Sequence, residues 1–185
     1  MFVKSDPSET KREEKEGNNL VLVAVDESSA VPLIVDFITR HQWTSETEFK
    51  ILHVIAPIMM DHPMASYPLF LESVEKDVRQ YAESLLERVK KEIQPKLADH
   101  KIETEVMNGL PAEVIVDEAK RLNAAMIVVG SHGRTGFTRF FLGSVSGAVV
   151  SHAPCNVMII RVPKTADRIA ARSKSADKTL EAHSV

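Results

Sequence analysis

The chain has 185 residues, 44% of them hydrophobic, enough for one domain with a sizeable core and polar ends. Its 23 Lys and Arg against 26 Asp and Glu leave a formal net charge of −3, which excludes a general pull toward nucleic acid or an acidic membrane. Its one cysteine, Cys155, excludes an internal disulfide and fits a reducing, cytoplasmic setting.

Residues 1–18 are polar and charged, hold little to bury and carry no secretory pattern, so they read as a flexible tail. NLVLVAV (19–25) is an apolar run rich in β-branched valine, as expected of a strand covered on both faces. A helix follows, with Ser28 or Ser29 as its cap, Pro32 in its first turn, and Val31, Ile34, Val35 and Ile38 on one face. FKILHVI (49–55) is a second strand, in which His53 reads as a satisfied core histidine. Residues 56–69 are irregular and rich in Pro and Met. Met59, Met60, Asp61, His62 and Met64 are soft-metal ligand types without a repeated spacing, so a loop or packing role is favoured.

Val74, Val78, Tyr81, Leu85, Val89 and Ile93 step by three and four, predicting a long helix with that stripe toward the core; Pro95 ends it. KIETEVM (101–107) alternates as a strand. Pro111 opens a helix with Ile115, Ala119 and Leu122 on one face, and AAMIVV (124–129) is a fourth strand. A helix near 143–152 and a fifth strand, NVMIIRV (156–162), close the domain. No Asp, Glu, Lys or Arg stands between Arg139 and Arg161, but SHAPCN breaks that run, so no membrane span is expected. Residues 163–185 are a polar extension.

Strand–helix alternation predicts an α/β fold: a five-stranded parallel sheet with helices on both faces. Ligands of such sheets bind beyond the C-terminal strand ends, at the topological switch point. The loops starting at Asp26, after Val54 and after Val129 lie there.

The last of these is GSHGRTGFTRFFLGS (130–144). A Walker loop needs Lys-Ser/Thr after its last glycine, and Ser144-Val145 stands there instead. The dinucleotide fingerprint GxGxxG is absent, and a nucleophile elbow would need serine where Val145 stands. What remains is Gly130-x2-Gly133-x9-Gly143-Ser144. Glycines let amides approach an anion, and Gly143-Ser144 opens a helix whose first amides lack partners. The segment is either a plain loop or a phosphate cradle built from backbone, and the helix start favours the cradle. His132 has no nucleophile at a recognisable spacing to act as its base, and Cys155 shows no activating neighbour.

At these residues the chain resembles the universal stress protein family. The glycine spacing is that family's nucleotide-binding motif. LVAVDESSA resembles its first strand and loop, ILHVI its second strand, and SVSGAVVSHAPCNVMIIR its last helix and strand. The resemblance covers roughly 19–162. It implies a Rossmann-like fold related to the adenine-nucleotide α-hydrolases, a bound adenine nucleotide (ATP, with AMP or ADP open), Mg or Mn carried through its phosphates, and a homodimer through the last strand.

Carried over by position, it implies that Ala24, Val25 and Asp26 wall the nucleotide and that backbone groups of Val54 meet the adenine edge. Gly130, Gly133, Gly143, Ser144 and Val145 hold ribose and phosphates, with Val129 leading into them. Asp26 has a second reading as a helix cap. Residues 56–69 are either a lid or a loop. Two function classes stay open: a regulatory nucleotide-binding protein of stress response, or a slow ATP hydrolase or phosphate-transferring enzyme of the same superfamily. The absence of a lysine anchor and of a carboxylate pair for metals favours the binder.

Overall fold

A computed structural model describes residues 19–57, 68–132 and 142–162. The expected tails, the Met- and His-containing stretch around Asp61, and Gly133 lie outside the described residues. The elements alternate in chain order: β1 (Leu20–Ala24), α1 (Val31–Arg40), β2 (Glu48–Ile55), α2 (Pro68–Ile93), β3 (Ile102–Asn108), α3 (Pro111–Arg121), β4 (Met126–Gly130), α4 (Ser144–His152) and β5 (Asn156–Ile160).

The five strands form one sheet in the order β3-β2-β1-β4-β5, with every pair parallel. The chain builds outward from β1 to β3 and then returns to the other side of β1 for β4 and β5. The order therefore reverses between β1 and β4, and that is where a crevice opens in a sheet of this kind.

Strand alternation divides the core in two. Val21, Val23, Phe49, Ile51 and Val128 pack with Ile34 and Ile38 of α1 and Leu85 and Val89 of α2. Leu22, Leu52, Ile127 and Val129 pack on the opposite face with Ile115 and Ala119 of α3 and Val149 of α4. Helices cover both faces, so β1 and β4 are apolar on successive residues rather than on alternate ones.

The start of α1 differs from the sequence expectation. The residue at its N-cap position is Ala30, which makes no side-chain cap bond. The Ser28 hydroxyl instead accepts from the Ala30 amide at 3.3 Å, and the Asp26 carboxylate accepts from the Ser28 amide at 3.1 Å. Two short side chains thus organise the turn ahead of the helix rather than its first turn. Pro32 sits in the first turn, where its missing amide costs nothing.

The stripe of α2 also departs from its periodicity. Leu85, Val89 and Ile93 are buried, but Tyr81 is 51% exposed. The helix overhangs the sheet at this level instead of lying on it.

Two charged groups, Lys50 and Glu118, are buried together among the described residues. Lys50 points from β2 toward α3, where its ammonium lies 2.7 Å from Glu118 and 2.5 Å from Glu105 of β3. Arg121, one turn beyond Glu118, grips the same carboxylate with two hydrogen bonds of 2.6 and 2.7 Å. The Arg121 hydrogen bonds hold Glu118 down to about 2 against the opposing effect of burial, with Lys50 adding to the depression. Burial works to lower Lys50, but the hydrogen bonds its ammonium donates to Glu105 and Glu118 outweigh it and its pKa is raised. Both shifts favour the charged pair.

Candidate functional site

The glycine segment leaves β4 and returns at α4 within one hydrogen-bonded knot. The Ser131 amide donates to Ile160 O at 2.8 Å, which extends the β4–β5 ladder. The Ser131 carbonyl then accepts from the Gly143 amide at 2.8 Å and from the Ser146 hydroxyl at 2.9 Å. Ser146 also reaches back to Gly143 O at 3.1 Å. The chain closes on itself here, and the start of α4 is held against the end of β4.

Packing excludes a side chain at one glycine and crowds it at another. A Cβ at Gly130 would lie 2.7 Å from the Cβ of Ala30, so the end of β4 meets the start of α1 only without a side chain. A Cβ at Gly143 would lie 3.3 Å from the His132 Cα and 3.4 Å from the Ser131 carbonyl. The sequence argument had both glycines clearing space for an anion. In the structure the side chain they lack would strike protein first, and the effect on a ligand follows from the backbone position they permit.

The first intrahelical bond of α4 runs from the Gly147 amide to Gly143 O at 2.8 Å. The amides of Ser144, Val145 and Ser146 precede it and have no carbonyl within the helix. No acidic side chain occupies this first turn. The helix dipole adds partial positive charge at the same point.

These elements frame a cavity of about 800 Å³ at the C-terminal ends of β1, β2 and β4. Ala24, Val25 and Asp26 line it from β1, and Val54 from β2. Val129 and Gly130 line it from β4, and Gly143, Ser144 and Val145 from the start of α4. Every described residue singled out from the sequence for this site therefore borders one space. A wider groove of about 950 Å³ runs between α2 and β3. It lies along the sheet edge, away from the strand ends, and long charged side chains such as Arg79, Arg88 and Lys91 line it as they would a solvated face.

The cavity has two chemically different ends. Backbone amides and hydroxyls gather at Gly130 and Gly143–Ser146. Ile55, Ala56, Val78, Tyr81, Pro111 and Ile115 supply an apolar wall. The charged side chains among its described lining residues are all acidic: Asp26, Glu27 and Asp77. Negative ligand charge would thus be met by amides, the helix dipole or a cation brought with the ligand. The described residues contain no group of three or more His, Cys, Asp or Glu arranged to hold a metal ion by themselves.

Several further residues line the cavity, among them two histidines that the sequence offered for other roles. His53 is half-buried on the cavity wall, and its Nδ1 lies 2.9 Å from the Val25 carbonyl. A carbonyl only accepts, so Nδ1 carries the proton and ties β2 to β1 at the rim. His132 Nδ1 lies 3.1 Å from the Ser131 hydroxyl, and its Nε2 is buried with no partner among the described residues. Ser146 was legible only as the third residue of a helix start. Tyr81 was read from the sequence as part of the core stripe of α2; Asp77, four residues before it on the same helix, was not singled out. Cys155 is half-buried in the turn between α4 and β5, and burial pushes its thiol up, away from reactivity.

The universal stress protein family model matches residues 18–161, most of the chain and the whole described sheet. The chain belongs to the universal stress protein family. Among curated members it is 30% identical to universal stress protein YxiE of Bacillus subtilis over 150 residues, 77% of this chain and 99% of that protein. It is 36% identical to universal stress protein MJ0531 of Methanocaldococcus jannaschii over 96 residues, 50% of this chain and 54% of the other. The chain thus spans about half the length of that relative, and 38% of universal stress protein E of Escherichia coli.

Universal stress protein UspA from Lactobacillus plantarum superposes with a TM-score of 0.61 at 29% identity, over 78% of this chain and 98% of that one. A universal stress protein family protein from Arabidopsis thaliana, solved with AMP bound, gives 0.52 at 25% identity, over 80% and 94%. The family fold and the five-stranded parallel sheet agree. No helix among the described residues is long and apolar enough to cross a membrane.

Proposed function

We propose that the chain is a regulatory adenine-nucleotide-binding protein that holds ATP, or AMP or ADP in the same place, in the cavity at the β1/β4 switch point. The observation that carries this reading is the convergence of Ala24, Val25, Asp26, Val54, Val129, Gly130, Gly143, Ser144 and Val145 on one space, with the first amides of α4, which have no carbonyl within the helix, at one end and an apolar wall at the other. A nucleotide has the matching polarity: charged phosphates at one end and a flat, weakly polar base at the other. The AMP held by the Arabidopsis relative supports the ligand class. The phosphates belong at Gly130 and at the start of α4, where amides point outward. The base belongs beside Val54. Gly133 joins the phosphate end by its place in the motif. Mg²⁺ or Mn²⁺ would be held through the phosphates and water, with Asp26 its one protein contributor, since hard cations want oxygen ligands.

The test is calorimetry on Gly143→Val. The added side chain presses on the Ser131–His132 backbone and displaces the first amides of α4. ATP affinity is expected to fall at least tenfold, about 1.4 kcal/mol, in a variant whose circular dichroism matches the parent. Equal affinity in the folded variant would remove the phosphates from this place.

The same reading makes the protein a homodimer through β5. This strand is an edge of the sheet, and Val157, Met158, Ile159 and Ile160 are only half-buried. An uncharged apolar edge recruits another strand. The Ile160 carbonyl points inward to the Ser131 amide. Backbone groups alternate sides along a strand, so those of Ile159 point outward. Ile159→Pro therefore removes an outward donor while leaving the ladder to β4 in place. Light scattering should show monomer for this variant and dimer for the parent. A parent that is monomeric at tens of micromolar would dispose of the dimer.

A further inference from the structure

We infer that Tyr81 is the aromatic wall on which the nucleotide base stacks, an inference that rests on the nucleotide reading above. The argument starts from a broken pattern. Tyr81 stands in helical register with Leu85, Val89 and Ile93, which are 2%, 1% and 1% exposed, yet it is itself 51% exposed. An aromatic side chain on the apolar face of a helix would normally be covered by the core beneath it. Under Tyr81 there is the cavity instead. Its neighbours on α2, Asp77 and Val78, border the same space, so the first half of the helix roofs the cavity and the second half packs on the sheet.

The position within the cavity decides the role. Val78 and Tyr81 line it from α2, which packs on β2 and β3, and Val54 and Ile55 line it from the end of β2, whereas the amides of α4 follow β4 on the other side of β1. A purine offers the ring a π-face of matching size, whereas a phosphate could use only the hydroxyl, which Tyr81→Phe removes. The ring–ring contacts of the described residues join Phe37, His41, Trp43, Phe49 and His100, and Tyr81 is in none of them. Base–aromatic stacking is among the larger single contributions to nucleotide affinity and depends on the ring rather than on bulk. Half the Tyr81 side chain is covered by the helix and the cavity wall, and half is open to receive the base.

The experiment is calorimetric titration of AMP into the full chain and into Tyr81→Ala, Tyr81→Leu and Tyr81→Phe, with Tm of each unliganded protein. Tyr81→Ala and Tyr81→Leu are expected to weaken AMP about tenfold, and Tyr81→Phe to stay within twofold of the parent. The Tm values should agree within about 2 °C, since the side chain is half exposed in the free protein. Parent-like affinity in Tyr81→Ala overturns the inference, and parent-like affinity in Tyr81→Leu reduces the ring to bulk and overturns it equally. A parent that binds AMP while Tyr81→Ala binds it as well removes only the stacking wall. A parent that binds no adenine nucleotide removes the site itself.

Discussion

Glu118→Ala is expected to destabilise the fold by about 3–5 kcal/mol, enough to threaten folding at physiological temperature. The carboxylate is 3% exposed and is shared by Lys50 and Arg121. Removing it leaves the buried Lys50 ammonium with Glu105 alone, whose side chain is 43% exposed and partly solvated. A buried charge without its partner costs more than the pair ever contributed. The double replacement Lys50→Met with Glu118→Leu should recover most of the loss, because an apolar pair of similar volume carries no desolvation penalty. Urea unfolding of the three proteins measures this. A single variant within 1 kcal/mol of the parent would show that the network contributes little.

The same carboxylate sets an acid limit. Its pKa lies near 2 in the folded chain, below the ordinary 4.5, chiefly because of the Arg121 hydrogen bonds. A depressed pKa means that the folded state binds the proton less readily than the unfolded one. The stabilisation, on the order of 2–3 kcal/mol, is present above about pH 5 and is lost as pH falls toward 2. Glu118→Gln should flatten that part of the stability profile. A variant that keeps the parent's slope between pH 5 and 2 would assign the acid dependence to other carboxylates.

Gly130→Ala is expected to cost about 1–3 kcal/mol of stability and at least tenfold in adenine-nucleotide affinity, about 1.4 kcal/mol. The new Cβ would lie 2.7 Å from that of Ala30, and neither atom is the end of a flexible chain that could swing away. Either β4 or the start of α1 must move. Both carry the site: Gly130 leads into the loop to α4, while Asp26 and Ser28 form the turn just before Ala30. Ala30→Gly removes the other half of the collision, so the double variant should regain much of both losses. Coupling of this kind between two contacting positions is what a double-mutant cycle isolates. Additive losses would mean that the two sites act separately and that the close approach is not the cause.

Much of this arrangement was legible before any coordinates. Continuous apolar runs such as LVLVA and MIVV mark strands covered on both faces, and Pro32 and Pro111 mark helix starts whatever the tertiary context. The switch-point rule then placed three loops together, and the described residues drawn from them do border one cavity. What the sequence concealed depends on distances between segments far apart in the chain. Lys50 in a mostly apolar strand gives no sign that Glu118, 68 residues later, will meet it. The 3.6-residue period shows that Tyr81 shares a face with Leu85, but not where that face runs off the sheet. Gly130 announces a close approach without naming Ala30 as its neighbour. The Ser28 cap was misplaced because a hydroxyl can organise either a turn or a helix start, and the spacing of Asp26, Ser28 and Ala30 suits the turn.

The most direct test of the account is calorimetric titration of ATP and AMP into the purified full-length chain, freed of any nucleotide it carries, in buffer containing Mg²⁺. One saturable site per chain is expected, weakened at least tenfold in Gly130→Ala. The absence of saturable binding by ATP, ADP or AMP up to millimolar concentration, in protein shown to be folded, would contradict the assignment of the cavity to an adenine nucleotide.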